Sequence, residues 1–247
     1  MTVEELSRRL QDRLKETAQA HGLAEDTVRV SARALSPEEA IGNPEHDDYP
    51  LVIGRERMME AEVAGACGQA FTDRYGSWEG CVRDVWRMEV TNDFRRAILV
   101  ATLNAVMRFT GEVKDTVHCK DDAPVRCGEE LRSFVAERGL RPPFVLIGYQ
   151  PRLAEALASL GDLRIVDRDL RNIGQLKAET VILDPAETQE ALRGAGCVFV
   201  TGSTVVNGTI VDFLDLPVPT VFYGVTIAGP AAVLGLTRYC PLALQSH

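Results

Sequence analysis

Within ten residues, His118-Cys119-Lys120-Asp121-Asp122-Ala123-Pro124-Val125-Arg126-Cys127 collects an imidazole, two thiols and two carboxylates around a proline. Sulfur and imidazole donors at that density suit zinc, copper, nickel, iron or an iron–sulfur centre better than calcium or magnesium. One His and two Cys do not close a tetrahedral structural site. A metal held by His118, Cys119 and Cys127 therefore needs a further ligand from elsewhere, or keeps an open position.

Composition decides how the six cysteines are read. The N-terminus, Met1 to Leu10, mixes charged and apolar residues like an amphipathic helix and lacks the apolar core of a signal peptide. No apolar run approaches the ~20 residues that span a bilayer. A cytoplasmic location is expected, and in a reducing compartment metal or catalytic roles gain weight over disulfides. Cys197, opening Cys197-Val198-Phe199-Val200, reads as core. Cys67, in Ala64-Gly65-Ala66-Cys67-Gly68-Gln69, fits core or cleft. A net charge of −9 opposes nucleic acid and anionic membranes as partners. The expected partner is a small-molecule or metal ligand, and a homo-oligomer stays open.

At 247 residues, 45% of them hydrophobic, two domains are expected, 1–140 and 141–247, meeting near Gly139-Leu140-Arg141-Pro142-Pro143. In the first, Val3, Leu6, Leu10, Leu14 and Ala18 have helical spacing, and Thr27 to Ala32 alternates as a strand. Gly42 to Pro50 is rich in turn residues. A second helix is predicted from Arg55 to about Phe71, and a third from Asn92, as N-cap, to Gly111. Glu129 and Glu130 are predicted to open a helix running through Leu131 and Phe134. That would set Cys127 at a helix N-terminus, which favours thiolate. The fold class is α/β: a small α+β domain, then a Rossmann-like, doubly wound parallel sheet. Its strands are Phe144–Gly148, Arg164–Asp167, Thr180–Asp184, Cys197–Gly202 and Thr220–Gly224, with a helix from Pro151 to Leu160. Gly148, Asp167, Asp184, Gly202 and Gly224 close these strands, where ligands bind in such folds.

Thr201-Gly202-Ser203-Thr204-Val205-Val206-Asn207-Gly208-Thr209 follows a strand and enters a helix, a setting for an anion or for a plain helix cap. Gly148-Tyr149-Gln150-Pro151 stands where Gly-x-Gly-x-x-Gly belongs and lacks two of its glycines, so no conventional NAD site is expected despite Asp167. Asn104, in an apolar helix, must be hydrogen-bonded, most simply as a brace. His46, Asp47, Asp48 and Glu60 are further candidate ligands, His21 suits a helix C-terminus, and His247 is terminal.

The stretches Thr201 to Ile210, Gly148-Tyr149-Gln150-Pro151, Ala101-Thr102-Leu103-Asn104-Ala105 and Asp169 to Gly174 resemble a family of unknown function named "putative heavy-metal chelation". The resemblance covers most of the chain. It implies an enolase N-terminal-like domain joined to a Rossmann-like domain, with the binding site in the cleft between them. Where family members continue into Gly-Pro-Ser after the last strand, this chain reads Gly224-Val225-Thr226-Ile227-Ala228-Gly229-Pro230, so the cleft floor differs. Cys240 fits either another soft ligand returning to the cleft or an inert residue near the C-terminus.

Three functions follow. The first is binding of a soft metal ion or a metal chelate, with His118, Cys119 and Cys127 as ligands and Cys67 and Cys240 in reserve. Gly148, Asp167, Thr201, Gly202, Ser203, Thr204, Asn207 and Thr209 would hold the rest of the ligand. The second is an enzyme acting on a nucleotide-like or phosphorylated molecule through a reactive Cys119 or Cys127. The third is a non-catalytic ligand sensor or assembly factor.

Overall fold

The computed structural model describes residues 1–24, 29–42 and 57–243; His46, Asp47, Asp48 and His247 lie outside these. Helix α1, Val3–Ala20, is closed at its start by a capping box between Thr2 and Glu5. It buries Leu6, Leu10, Leu14 and Ala18, a stripe at every fourth residue. Strand β1, Arg29–Ala34, precedes a short helix α2, Pro37–Ile41.

The helix predicted over 55–71 is instead a β-hairpin, β2 (Arg57–Val63) and β3 (Ala66–Thr72). Ala64 and Gly65 both have positive φ, +50° and +82°, and join strands paired at Val63 and Ala66. Such a two-residue connection matches the twist of the flanking strands. Met59, Ala61 and Val63 are buried at a period of two while Glu62 stays exposed. Met58 is buried as well, in a separate apolar cluster with Leu35 and Val225, and blurs the alternation in the sequence.

Strand β4 (Trp78–Cys81) and helix α3 (Val82–Arg87) lead to α4, Asp93–Phe109. The four strands form an antiparallel sheet in the order β3-β2-β1-β4. Helix α4 starts at the N-cap Asn92, whose side chain accepts the Arg95 amide. Every residue from Ala97 to Met107 is buried, because α4 packs on β2 and β3 and also on α1 and on helices of the second half. Gly68 permits this closeness: a Cβ there would fall 2.2 Å from the Ala105 nitrogen and 2.3 Å from the Ala101 carbonyl oxygen.

Helix α5, Ala123–Glu137, begins six residues before Glu129, with Pro124 in its first turn, where the missing N–H costs nothing. Then come β5 (Phe144–Ile147), α6 (Pro151–Ala158), β6 (Leu163–Val166), β7 (Leu176–Lys177), β8 (Thr180–Leu183), α7 (Thr188–Leu192), β9 (Cys197–Thr201), α8 (Thr204–Asn207), β10 (Thr220–Tyr223), α9 (Ala228–Leu234) and β11 (Arg238–Tyr239). Their sheet runs β11-β10-β9-β5-β6-β8-β7, with every pair parallel except β7–β8. The fold is thus α/β with a doubly wound, mostly parallel sheet.

Both faces of that sheet are covered. Phe144, Leu146, Ile165 and Phe199 pack with Leu131 and Val135 of α5 and Leu153 and Leu157 of α6. Val145, Ile147, Val198 and Val200 belong to a cluster that includes α1 and α4. Alternate residues of one strand therefore enter different cores, which explains the continuous apolar runs. Order reverses between β5 and β9: β6 and β8 lie to one side of the pair, β10 and β11 to the other. Loops leaving such neighbours part and open a crevice.

Candidate functional site

A cavity of about 610 Å³ occupies that crevice. Gly148, Asp167, Thr201, Gly202, Ser203, Thr204, Asn207 and Thr209 all line it. So do His118, Cys119, Cys127 and Cys240. Cys67 does not line it; it lies on β3, paired with Glu62. Burial, then Glu60 and Glu62, push the Cys67 thiol up to about 11. Phe71 and Thr72 from the end of β3 complete the wall opposite the parallel sheet.

At the reversal, Gly148 has φ +86°, and a Cβ on it would lie 2.6 Å from Thr201 Cγ2. The Tyr223 hydroxyl donates to the Gly148 carbonyl at 2.6 Å and ties β10 to β5. Asp167 accepts the backbone amides of Tyr149 and Asp169, at 2.5 and 2.6 Å, and hydrogen-bonds Asn172. Burial nevertheless raises its pKa above the usual carboxylate value, outweighing those bonds. Its carboxylate thus brackets the loops after β5 and β6, where a ribose-binding acid would leave its oxygens to the ligand.

The 201–209 loop is largely self-satisfied. The Thr204 hydroxyl donates to the Thr201 carbonyl at 2.6 Å, and Asn207 Oδ1 accepts both the amide and hydroxyl of Thr209. Gln150 caps α6 by accepting the Leu153 amide. Arg96, ion-paired with Asp93, donates Nε–H to the Val206 carbonyl and pins α8 to α4. What these loops offer the cavity is mainly side-chain hydroxyl and amide groups.

The thiol wall is built from three segments. Cys119 lies in the connection before α5 and is buried, and Cys240 follows β11. Cys127 is the fifth residue of α5, past its first turn, so the helix-start effect expected for its thiolate does not apply. Burial, then the neighbouring Cys240, push the Cys127 thiol up to about 12. Cys119 is raised further by burial, with Cys240 and Cys127 as close acidic neighbours. Cys240 is raised by burial, against the opposing pull of Arg238. All three therefore stand as neutral thiols. The Tyr239 hydroxyl donates to the Cys127 carbonyl, holding α5 against β11.

His118 sits at the edge of this wall. Its Nδ1 is 2.6 Å from the Cys119 carbonyl oxygen, an acceptor only, so Nδ1 carries the proton and Nε2 keeps a lone pair. Burial lowers its pKa and keeps the ring neutral. Phe71 packs edge-on against the ring, centroids 5.8 Å apart. The buried Gln69 fixes the backbone, accepting the His118 amide at 2.7 Å while donating to Glu60. Glu60 is thereby engaged outside the cavity. A ring nitrogen held by a carbonyl, with its partner nitrogen unprotonated, is how metal-ligating histidines are oriented. Among the described residues no three His, Cys, Asp or Glu side chains are grouped to hold an ion unaided.

Sequence reasoning missed Gln69, which in a strand alternates with buried Ala70, and Tyr149, Arg168 and Tyr239 of the cavity wall. Asn104 it read correctly as a brace. Its amide donates to carbonyls of Gln69, Val225 and Thr226, and its Oδ1 accepts the Gly229 amide at 2.7 Å. Cys197 is core, at 0% exposure. His21 caps α1, its Nδ1 3.0 Å from the Thr17 carbonyl.

Residues 139–236 match the DUF364 family model, whose description is "Putative heavy-metal chelation". Among solved structures, the chain is similar to a DUF364-family protein of unknown function from Pyrococcus horikoshii. Identity is 17% and the TM-score 0.55, over 90% of this chain and 79% of that one. A DUF364-family protein of unknown function from Desulfitobacterium hafniense DCB-2 matches at 16% identity and TM-score 0.48, over 72% and 73%. The first of these shares the fold. No curated protein matches the chain.

Proposed function

We propose, taking the DUF364 match of residues 139–236 as the premise, that the chain binds a soft metal ion carried by a small organic chelator. The site is the cavity at the sheet reversal, between residues 1–140 and 141–247 read as two domains. The observation that carries this reading is the wall shared by His118, Cys119, Cys127 and Cys240, with the imidazole fixed as a neutral Nδ1–H tautomer. Three thiols and an imidazole nitrogen prefer thiophilic ions such as copper(I), zinc or cadmium. A volume of about 610 Å³ is far larger than an ion needs and falls within the range of small-molecule pockets. The chelator would occupy the part lined by Gly148 and the 201–209 loop.

Binding through sulfur requires each participating thiol to lose its proton, so affinity rises with pH and protons are released. The raised thiols weigh against the reading in which Cys119 or Cys127 is a nucleophile, because the thiolate is the reactive form. Metal analysis of untagged protein, purified without added metal, tests the proposal together with a cadmium titration. Stoichiometric binding that is lost in the Cys119→Ser/Cys127→Ser double variant supports it. Binding unchanged in that variant contradicts it.

A further inference from the structure

The cavity has two chemically different ends. Its thiols cluster around the end of β11, whereas Asp167, Arg168, Asp169, Leu170, Arg171 and Asn172 line it beyond the end of β6. Four strand intervals separate β11 from β6 in the sheet. At about 4.8 Å per interval the two ends are roughly 19 Å apart. Arg168 is exposed and lines the cavity, yet it makes no ion pair or hydrogen bond among the described residues.

The acids nearest in sequence are committed elsewhere. Asp167 is surrounded by two backbone amides and Asn172. Asp169 accepts the guanidinium of Arg171 through both oxygens. Among the described residues, the exposed Arg168 guanidinium is therefore a cavity-lining cation without a paired acid, in a chain whose net charge is −9. Gln189, at the start of α7, also lines the cavity and presents a side-chain amide to an oxyanion held there, whereas the Thr188 hydroxyl is spent on the Pro185 carbonyl.

We infer that the cavity takes an elongated ligand bearing a carboxylate or phosphate, and that Arg168 pairs with this group at the β6 end while the opposite end meets the thiol wall. This rests on the chelate reading and names its ligand class: an anionic chelator. Arginine suits either oxyanion because its fork of N–H donors can engage two oxygens at once.

The test titrates citrate and inorganic phosphate, each without metal, into the full chain by calorimetry. Arg168→Gln is compared with Arg193→Gln, which removes the same charge from an exposed ion pair with Glu190. Saturable binding of one anion, weakened roughly 10-fold or more by Arg168→Gln and unchanged by Arg193→Gln, is the expected result. Whichever anion binds tighter identifies carboxylate or phosphate as the group recognised. Absence of binding by both anions, or equal weakening in both variants, overturns the inference. Cadmium binding through the thiols in a chain indifferent to both anions leaves the metal reading standing and removes only this one. Anion binding without cadmium binding does the reverse.

Discussion

Replacing Asn104 with alanine tests how the antiparallel sheet, α4 and the parallel sheet are joined. The Asn104 side chain is fully buried and has two N–H bonds to distribute among three carbonyls. Gln69 takes the shortest, at 2.9 Å, while Val225 and Thr226 share the other at 3.3 and 3.2 Å. The Oδ1 atom accepts the buried Gly229 amide. Alanine removes these bonds, strands the Gly229 N–H without an acceptor, and leaves a cavity in the tightest part of the core. Each lost bond is worth about 1 kcal/mol and an orphaned buried donor about 1–3 kcal/mol, so the variant should lose roughly 3–5 kcal/mol. For a chain of this size that corresponds to a melting temperature lower by about 6–20 °C. Urea denaturation followed by fluorescence and by circular dichroism would measure it. A folded variant within about 1 kcal/mol of the parent, with an unchanged denaturant slope, would refute the assignment of Asn104 as the joint.

Gly148→Ala should cost about 2–4 kcal/mol, because the new methyl meets Thr201 at positive φ. It should also weaken any ligand bound at the reversal, and thermal melts with and without that ligand would show both effects. Cys127 should react with iodoacetamide at pH 8 at least about 100-fold more slowly than a free model thiol, read by peptide mass spectrometry; rapid labelling of the folded protein would restore the nucleophile reading. Because folding raises the Cys127 pKa to about 12, its neutral form favours the folded state below the unfolded thiol pKa of about 8.5. That contribution is lost as pH climbs from there toward 12, so a Cys127→Ser variant should lose less stability over this window than the parent.

Five strands of the parallel half, β5, β6, β8, β9 and β10, were legible because each is a short apolar run that stops at a Gly or Asp; β7 and β11, two residues each, carry no such run. Helices α1 and α4 were legible from the Leu6-Leu10-Leu14 stripe and the Asn92 cap. The β2–β3 hairpin was not, because Met58 is buried behind the stripe of Met59, Ala61 and Val63, and Ala64-Gly65 reads as helix interior until its positive φ values are seen. The same error misplaced Cys67, which a strand carries away from the cavity. In the other direction, His118, Cys119, Cys127 and Cys240 come from three separate segments that share a wall only through the pairing of β10 and β11 and the seat of α5 against them. Spacing within 118–127 hinted at that wall; the inversion of the Cys127 environment, from helix start to buried interior, required the fold.

Anomalous diffraction from crystals of the untagged protein grown with cadmium citrate would locate the metal and its chelator together. The expected result is a cadmium peak inside the cavity, bonded to at least one sulfur of Cys119, Cys127 or Cys240, with the citrate extending along the strand ends toward Arg168. Cadmium found only on surface carboxylates, with the cavity thiols untouched, would contradict it.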